Sequence, residues 1–122
     1  MPTTVSPRIL IVDDEVEITE ILADLLSEEY ECLRAASAEE ALAHLHGSQF
    51  QLVISDITMP GMSGLELLQK IKQKFENPSP VVMMVTAYGD ENNYNDAIRF
   101  GADDFLTKPV DFNLLKEKLK AK

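Results

Sequence analysis

The sequence predicts an α/β fold in which helices cover both faces of one parallel sheet. Five short apolar runs alternate with segments of helical pattern, and a strand–helix–strand unit of this kind returns to a parallel neighbour through a right-handed crossover. Three of the runs are almost wholly aliphatic, namely RILIV (8–12), LVIS (52–55) and VVMMVT (81–86). Strands that are buried on both faces have this composition. We therefore expect these three strands in the centre of the sheet.

The other two runs are more polar and suit the edges of the sheet. They are ECLRAA (31–36) and DDFLT (103–107). A strand at an edge has a neighbour on one side only and is less completely buried, so it tolerates charged side chains. The predicted domain has no internal linker or repeat, and it spans residues 1–122 with an expected disordered extension at 1–7.

A helix signal follows each predicted strand. The apolar residues of the first helix have the spacing of one buried face; they are Ile18, Ile21, Leu22, Leu25 and Leu26. Ser37 with Glu40, and Ser63 with Glu66, have the spacing of a capping box, which predicts the starts of the second and third helices.

The later helices are bounded by proline, glycine and aspartate. NPSP (77–80) should end the third helix, the fourth should span about 90–100 before a left-handed Gly101, and the fifth should start near Asp111. The expected core-facing residues are Leu65, Leu68, Ile71 and Phe75 in the third helix, and Phe112, Leu115 and Leu119 in the fifth.

Composition and charge exclude several classes of protein. Eleven basic and 21 acidic side chains give a formal net charge of −10, which disfavours direct contact with nucleic acid or with an anionic membrane. The N-terminus has no apolar core of signal-peptide length, and no run approaches the length of a membrane span. We interpret the single cysteine, Cys32, as a small packed side chain and not as a reactive thiol. We expect a cytoplasmic location.

Chemically useful side chains stand where the predicted strands end. In an open parallel sheet, ligands bind beyond the carboxyl ends of the strands. The residues at those ends are Asp13 and Asp14 after the first strand, Asp56 after the third, Thr86 and Ala87 after the fourth, and Lys108 with Pro109 after the fifth. Three acids, a hydroxyl group and an amine should therefore converge.

This group of side chains suits phosphoryl transfer to a carboxylate. Closely spaced carboxylates raise one another's cost of ionisation, so without a cation at least one should resist losing its proton. Mg²⁺, for which Mn²⁺ is a possible substitute, prefers such oxygen ligands. Asp56 could attack phosphorus as a nucleophile, while Lys108, the Thr86 hydroxyl and the Ala87 amide bind the phosphoryl oxygens.

Four motifs resemble one family over nearly the whole chain. They are VDDE (12–15), SDITMPGMSG (55–64), VTA (85–87) and GADDFLTKP (101–109). In this order they resemble the receiver domain of the two-component response regulators. The resemblance implies a flavodoxin-like and CheY-like (βα)5 fold with strand order 2-1-3-4-5.

The resemblance also implies a role for each site residue. Asp56 would be the phosphoacceptor and a metal ligand, Asp14 a direct metal ligand, Asp13 a ligand through water, and the Thr58 carbonyl a further ligand. Lys108 and Thr86 would bind the phosphate, and the peptide bond before Pro109 would be cis. Phe105 stands where the family often has tyrosine, and with Thr86 it would form the switch. Thr58 and Tyr88 would flank the path of the hydrolytic water, with Tyr88 slowing hydrolysis.

The implied partners are a sensor histidine kinase or phosphotransfer protein, and an output domain or target that reads the surface of helix 4, strand 5 and helix 5. A homodimer through that surface is possible. The chain would be no enzyme beyond catalysing its own phosphorylation and dephosphorylation. The sequence does not identify the kinase, the output or any longer protein to which the chain belongs.

Other interpretations remain open from the residues themselves. Taken singly, Asp13 and Asp14 could cap a helix, Asp56 could be a turn residue and Phe105 could belong to the core. A flavin-binding protein would share the fold but needs a Ser- or Thr-rich phosphate loop after the first strand. An aspartate-nucleophile phosphohydrolase would need a second acid where this chain has Thr58. A receiver-shaped interaction domain that is never phosphorylated is the third alternative.

Overall fold

The computed structural model describes residues 7–59, 61–74, 80–86 and 91–120. Strands and helices alternate throughout. In chain order they are β1 (Arg8–Val12), α1 (Val16–Leu26), β2 (Glu31–Ala35), α2 (Ala38–Gly47), β3 (Leu52–Asp56), α3 (Gly64–Lys74), β4 (Val81–Thr86), α4 (Glu91–Arg99), β5 (Asp104–Thr107) and α5 (Phe112–Lys120). The strands are parallel and lie in the order β2-β1-β3-β4-β5, which confirms the predicted fold and both edge strands.

Two apolar layers hold the helices against the sheet. Because side chains alternate between the faces of a strand, Leu10 and Val53 enter one layer while Ile9 and Ile54 enter the other. The first layer includes buried residues of α2 and α3, and the second includes buried residues of α1 and α5. Each fully buried aliphatic side chain contributes about 1.5–3 kcal/mol, so the central strands supply a rigid base for the residues at their ends.

The predicted helix ends are largely confirmed. The Ser37 and Ser63 hydroxyls accept hydrogen bonds from the amides of Glu40 and Glu66 at 3.1 and 3.2 Å. Gly101 has a φ of +97° after α4. The Asp111 carboxylate accepts bonds from two backbone amides of α5. Residues 1–6 and 75–79 lie outside the described residues, and the second group includes Phe75 and most of the NPSP segment that was expected to end α3. The Pro7 carbonyl, in contrast, accepts a bond from the Glu31 amide.

Two residues predicted to face the core are instead exposed. Ile21 is 51% exposed and Phe112 is 39% exposed. In α1 the buried positions are Thr19, Leu22 and Leu26, and Thr19 is accommodated because its hydroxyl donates to the Val16 carbonyl at 2.7 Å. Ile21 and Phe112 line an open cleft between α1 and the start of α5.

No helix in the described parts of the chain combines the length and apolar character needed to cross a membrane.

The start of α3 packs closely against the backbone at the end of β3. A Cβ atom built on Gly64 would lie 2.0 Å from the Asp56 carbonyl oxygen and 2.8 Å from the Ile57 Cα atom. The Gly64 amide also donates to the Ile57 carbonyl at 2.7 Å. Because both close neighbours are backbone atoms, no side-chain rotation could relieve the contact. The backbone that carries Asp56 therefore depends on glycine at position 64.

We expect Gly64→Ala to lower the free energy of unfolding by about 2–4 kcal/mol, because β3 and α3 must separate to admit the methyl group. Urea unfolding followed by circular dichroism measures the change. Gly47→Ala is the matched control, since a Cβ atom there meets no heavy atom within 4 Å. In the last turn of α2 that substitution should be neutral or stabilising by up to about 1 kcal/mol. Equal effects of the two substitutions would contradict the steric argument.

Candidate functional site

The carboxyl ends of the strands bring the predicted site residues together. Backbone hydrogen bonds continue past the strands: Asp13 donates to the Ala35 carbonyl at 3.1 Å, Ile57 to the Val85 carbonyl at 3.1 Å, and Lys108 to the Thr86 carbonyl at 2.8 Å. These bonds fix the directions in which the chain leaves the sheet. The side chains of Asp13, Asp56 and Lys108 consequently point into one pocket.

Three carboxylates in this pocket fit a divalent cation. Asp13, Asp14 and Asp56 each offer an oxygen, and these oxygens lie within 4.8 Å of one another. Opposite ligands of Mg²⁺ are about 4 Å apart, so the cluster has nearly the required size, and the exposed Asp14 side chain can adjust. Asp13 and Asp56 are buried. The donor set is all oxygen, as a hard cation requires.

The predicted role of Thr58 as a ligand remains a prediction. Its side chain is exposed, and its amide donates to Asp56 Oδ1 at 3.4 Å. This contact orients the Asp56 carboxylate from one side.

Lys108 supplies the positive charge of the pocket. Its Nζ atom lies 3.1 Å from Asp56 Oδ2, 3.1 Å from Glu15 Oε1 and 3.5 Å from Asp13 Oδ2. Burial alone would lower the pKa of Lys108, but the hydrogen bonds to Asp56 and Glu15 outweigh burial and raise the pKa. Lys108 is therefore a permanent cation at neutral pH and not a general base. The Lys108–Pro109 peptide bond is cis, as predicted.

Asp13 resists ionisation, as the sequence predicts for one member of the cluster. Burial is the largest cause and raises the pKa of Asp13 to about 6, with a smaller contribution from the charge of Asp56. The Glu15 amide opposes the shift by donating to Asp13 Oδ1 at 2.9 Å. A pKa of about 6 makes Asp13 harder to ionise, as expected for one member of the cluster, and desolvation contributes more to this shift than repulsion between carboxylates.

The predicted switch residues, Thr86 and Phe105, lie on β4 and β5. Thr86 is buried, and its hydroxyl donates to the Leu106 carbonyl at 3.4 Å. The half-buried Phe105 packs its ring against that of Tyr94 in α4, with centroids 4.4 Å apart. Ala87 and Tyr88, predicted to bind phosphate and to slow hydrolysis, lie outside the described residues.

Glu15 is the site residue that sequence reasoning missed. The VDDE motif includes it, but no role follows from the motif, and its partner Lys108 is 93 positions away. One feature of the sequence could have indicated this contact: Glu15 follows β1 closely, and β1 ends at the same edge of the sheet as β5.

Asp13 makes the stability of the cation-free protein depend on pH. A carboxyl group whose pKa is raised on folding stabilises the fold below its unfolded pKa of 3.8, and this contribution is lost as the pH rises through about 6. We therefore expect Asp13→Asn to raise the free energy of unfolding at pH 7 by about 1–3 kcal/mol. The gain should disappear below pH 4. Urea unfolding between pH 4 and 8 in EDTA measures it, and a pH-independent difference would contradict the assigned cause.

Comparisons with known proteins agree with this geometry. The family model described as "Response regulator receiver domain" matches residues 9–120. The chain is 38% identical over 118 residues to the phosphate regulon transcriptional regulatory protein PhoB of Pseudomonas aeruginosa, covering 96% of this chain and 52% of that protein. It is 40% identical over 111 residues to the response regulator protein PilR of the same species, covering 90% and 24%. The chain thus spans about half or less of these relatives.

Solved structures show the same fold. A CheY-like response regulator receiver domain from Methanospirillum hungatei has a TM-score of 0.86 at 38% identity, with 97% of this chain and 93% of that chain covered. A response regulator receiver protein from Pseudomonas putida has a TM-score of 0.86 at 30% identity, with 98% and 100% covered. The arrangement of acids and lysine at the sheet edge, the family model and these relatives together show that the chain belongs to the response regulator receiver domain family of two-component signalling.

Proposed function

We propose that this receiver domain accepts a phosphoryl group on Asp56 from the phosphohistidine of a sensor histidine kinase or phosphotransfer protein, in the cytoplasm and with Mg²⁺ or Mn²⁺ bound. The observation that carries the proposal is the position of the Asp56 carboxylate. It is buried between the Lys108 ammonium group at 3.1 Å and the carboxylates of Asp13 and Asp14. A cation on one side and a cation-binding cluster on the other can together hold an anionic phosphoryl group.

The chain's own residues would orient and stabilise the transfer. A carboxylate oxygen of Asp56 forms the new bond to phosphorus as the phosphorus–nitrogen bond of the donor breaks, and the imidazole leaves with the bonding electron pair. The Thr58 amide donates to one oxygen of the Asp56 carboxylate and the Lys108 ammonium group donates to the other, so the two bonds fix its orientation. Lys108 remains protonated and neutralises charge on the phosphoryl oxygens. Asp13, Asp14 and Asp56 would hold the divalent ion, which supplies further neutralisation.

Net turnover of a phosphate ester is less well supported. A phosphohydrolase of this type needs an acid two residues after its nucleophile, to protonate the leaving group and then activate water. Thr58 occupies that position and contacts Asp56 through its backbone amide. We therefore infer that catalysis is limited to the chain's own phosphorylation and dephosphorylation. The complete set of charged groups also favours this over an interaction domain that is never phosphorylated.

We expect one added phosphoryl group when the protein is incubated with acetyl phosphate and Mg²⁺ and its intact mass is measured. Asp56→Asn should remove the added mass because the amide is not a nucleophile, and EDTA should remove it by withdrawing the cation. Asp24→Asn, an exposed substitution in α1, is the control and should be phosphorylated normally. Undiminished phosphorylation of Asp56→Asn would refute the assignment.

We further propose that phosphorylation alters the surface formed by α4, β5 and α5, which an output domain, a target protein or a second copy of the domain would read. Ala97 is the one buried residue of α4, so this helix is weakly attached. A phosphoryl group would draw Thr86 away from the Leu106 carbonyl, and Phe105 would fill the space that Thr86 leaves. Because Phe105 packs on Tyr94, its movement would shift α4.

The energies of hydrogen bonds to a phosphoryl group are of the order that such a switch requires. Moving a two-state equilibrium from 1:99 to 99:1 takes about 5.5 kcal/mol of differential binding. Charge-assisted hydrogen bonds contribute about 1.5–3 kcal/mol each. A contact from Thr86 to the phosphoryl group would replace a neutral hydrogen bond with a charge-assisted one, whereas Lys108 would exchange one anionic partner for another. The two contacts would therefore supply part of the required free energy.

We expect amide hydrogen exchange in residues 91–112 to change when Mg²⁺ and beryllofluoride, a phosphoryl mimic, are added. Peptides from β1 and β2 serve as internal controls and should be unaffected. Thr86→Ala should bind the mimic yet show a reduced change, since it lacks the hydroxyl that couples the site to Phe105. Unchanged exchange in residues 91–112 of the wild-type protein, with the mimic bound, would refute the switch.

A further inference from the structure

We propose that Glu15 is a positioning residue that holds Lys108 at the rim of the pocket and competes with the phosphoryl group for its charge. This inference rests on the proposed function, because it concerns the same lysine. It assigns to Glu15 two opposite effects: it favours binding of a divalent cation and disfavours the phosphorylated state.

Glu15 stands at the start of α1, but its side chain does not cap the helix and can therefore contact Lys108. Glu15 is the N-cap residue of α1, with extended φ and ψ angles, yet its side chain accepts no hydrogen bond from the helix. N-cap side chains usually accept such a bond, and the short acids and hydroxyls do so best. The Glu15 carboxylate instead accepts a hydrogen bond from Lys108 Nζ at 3.1 Å, which joins the start of α1 to the turn between β5 and α5.

Lys108 lies at the same distance from one exposed and one buried carboxylate. Both Glu15 and Asp56 lie 3.1 Å from its Nζ atom, but the Glu15 side chain is 60% exposed and that of Asp56 is 9% exposed. Water can replace Lys108 as a partner of Glu15 at little cost, whereas it cannot do so for Asp56. When the charge at Asp56 grows on phosphorylation, Glu15 is therefore the partner that releases the lysine.

The same geometry makes Glu15 helpful before phosphorylation. Its negative charge offsets that of Lys108, which otherwise opposes the entry of a cation among Asp13, Asp14 and Asp56. Removing the Glu15 charge should therefore weaken cation binding. Freeing Lys108 should at the same time strengthen binding of a phosphoryl group. A change that merely loosened the fold would weaken both.

Two substitutions separate the charge of Glu15 from its contact with Lys108. Glu15→Gln removes the charge and weakens the contact. We expect it to raise the dissociation constant of Mg²⁺ about twofold to fivefold and to lower that of beryllofluoride at saturating Mg²⁺ by a similar factor, the range of an exposed ion pair. Glu15→Asp keeps the charge but shortens the side chain by one methylene group, which should lengthen and weaken the 3.1 Å contact with Lys108. It should bind Mg²⁺ within about twofold of wild type and still bind beryllofluoride more tightly.

The Glu15→Asp variant also serves as a control for loss of stability. Aspartate is a good N-cap residue, so Glu15→Asp should be at least as resistant to urea as the wild-type protein. Glu17→Gln, an exposed substitution in the first turn of α1, makes the same charge change away from Lys108 and should leave beryllofluoride binding unaltered. Isothermal titration calorimetry measures both ligands.

The outcomes distinguish this inference from the proposed function. If wild-type protein binds beryllofluoride in the presence of Mg²⁺ but neither Glu15 variant binds it more tightly, the competition is refuted and the phosphoacceptor role stands. If the Glu17 control matches Glu15→Gln, the effect is general electrostatics, which also refutes a positioning role. If the wild-type protein binds no beryllofluoride with Mg²⁺, both proposals fail.

Discussion

The contact between the Lys108 ammonium group and the Asp56 carboxylate, at 3.1 Å, is the interaction on which the site depends. It joins residues 52 positions apart, and it forms because all strands of a parallel sheet end at the same edge. The backbone bonds from Ile57 to Val85 and from Lys108 to Thr86 extend the pairing past the strands. The direction of each functional side chain is thus set by the sheet and not by a flexible loop.

Placing carboxylates at this edge has a stability cost that the rest of the fold must offset. Asp13 and Asp56 are buried, and burial raises the pKa of Asp13 to about 6. Lys108 neutralises part of the charge but cannot satisfy every acid in the pocket. The two apolar layers on the central strands tolerate this arrangement because they contribute far more than one unfavourable ionisation. The resulting demand for positive charge is what makes the pocket a candidate site for a cation.

Local patterns predicted the elements of the fold well, and contacts between distant residues poorly. The aliphatic runs and serine caps predicted strands and helix starts, and Asp13, Asp56 and Lys108 followed from their places at strand ends. Helical periodicity identified an apolar stripe on α1 but not the width of the face that the sheet covers, so Ile21 was wrongly placed in the core. The contact of Glu15 with Lys108 depends on how the edge of the folded sheet is assembled, which no local pattern reports.

The signal path that we propose agrees with the place of β5 in the sheet. This strand has one neighbour, β4, and its side chains are less buried than those of β1, β3 and β4. A displacement at Thr86 or Lys108 therefore meets less resistance toward β5 and α4 than toward the doubly covered centre. Phe105 lies on that route and contacts Tyr94. A sheet with its pocket beside an edge strand can be rigid at the proposed phosphoryl site and compliant at the surface that we propose a partner reads.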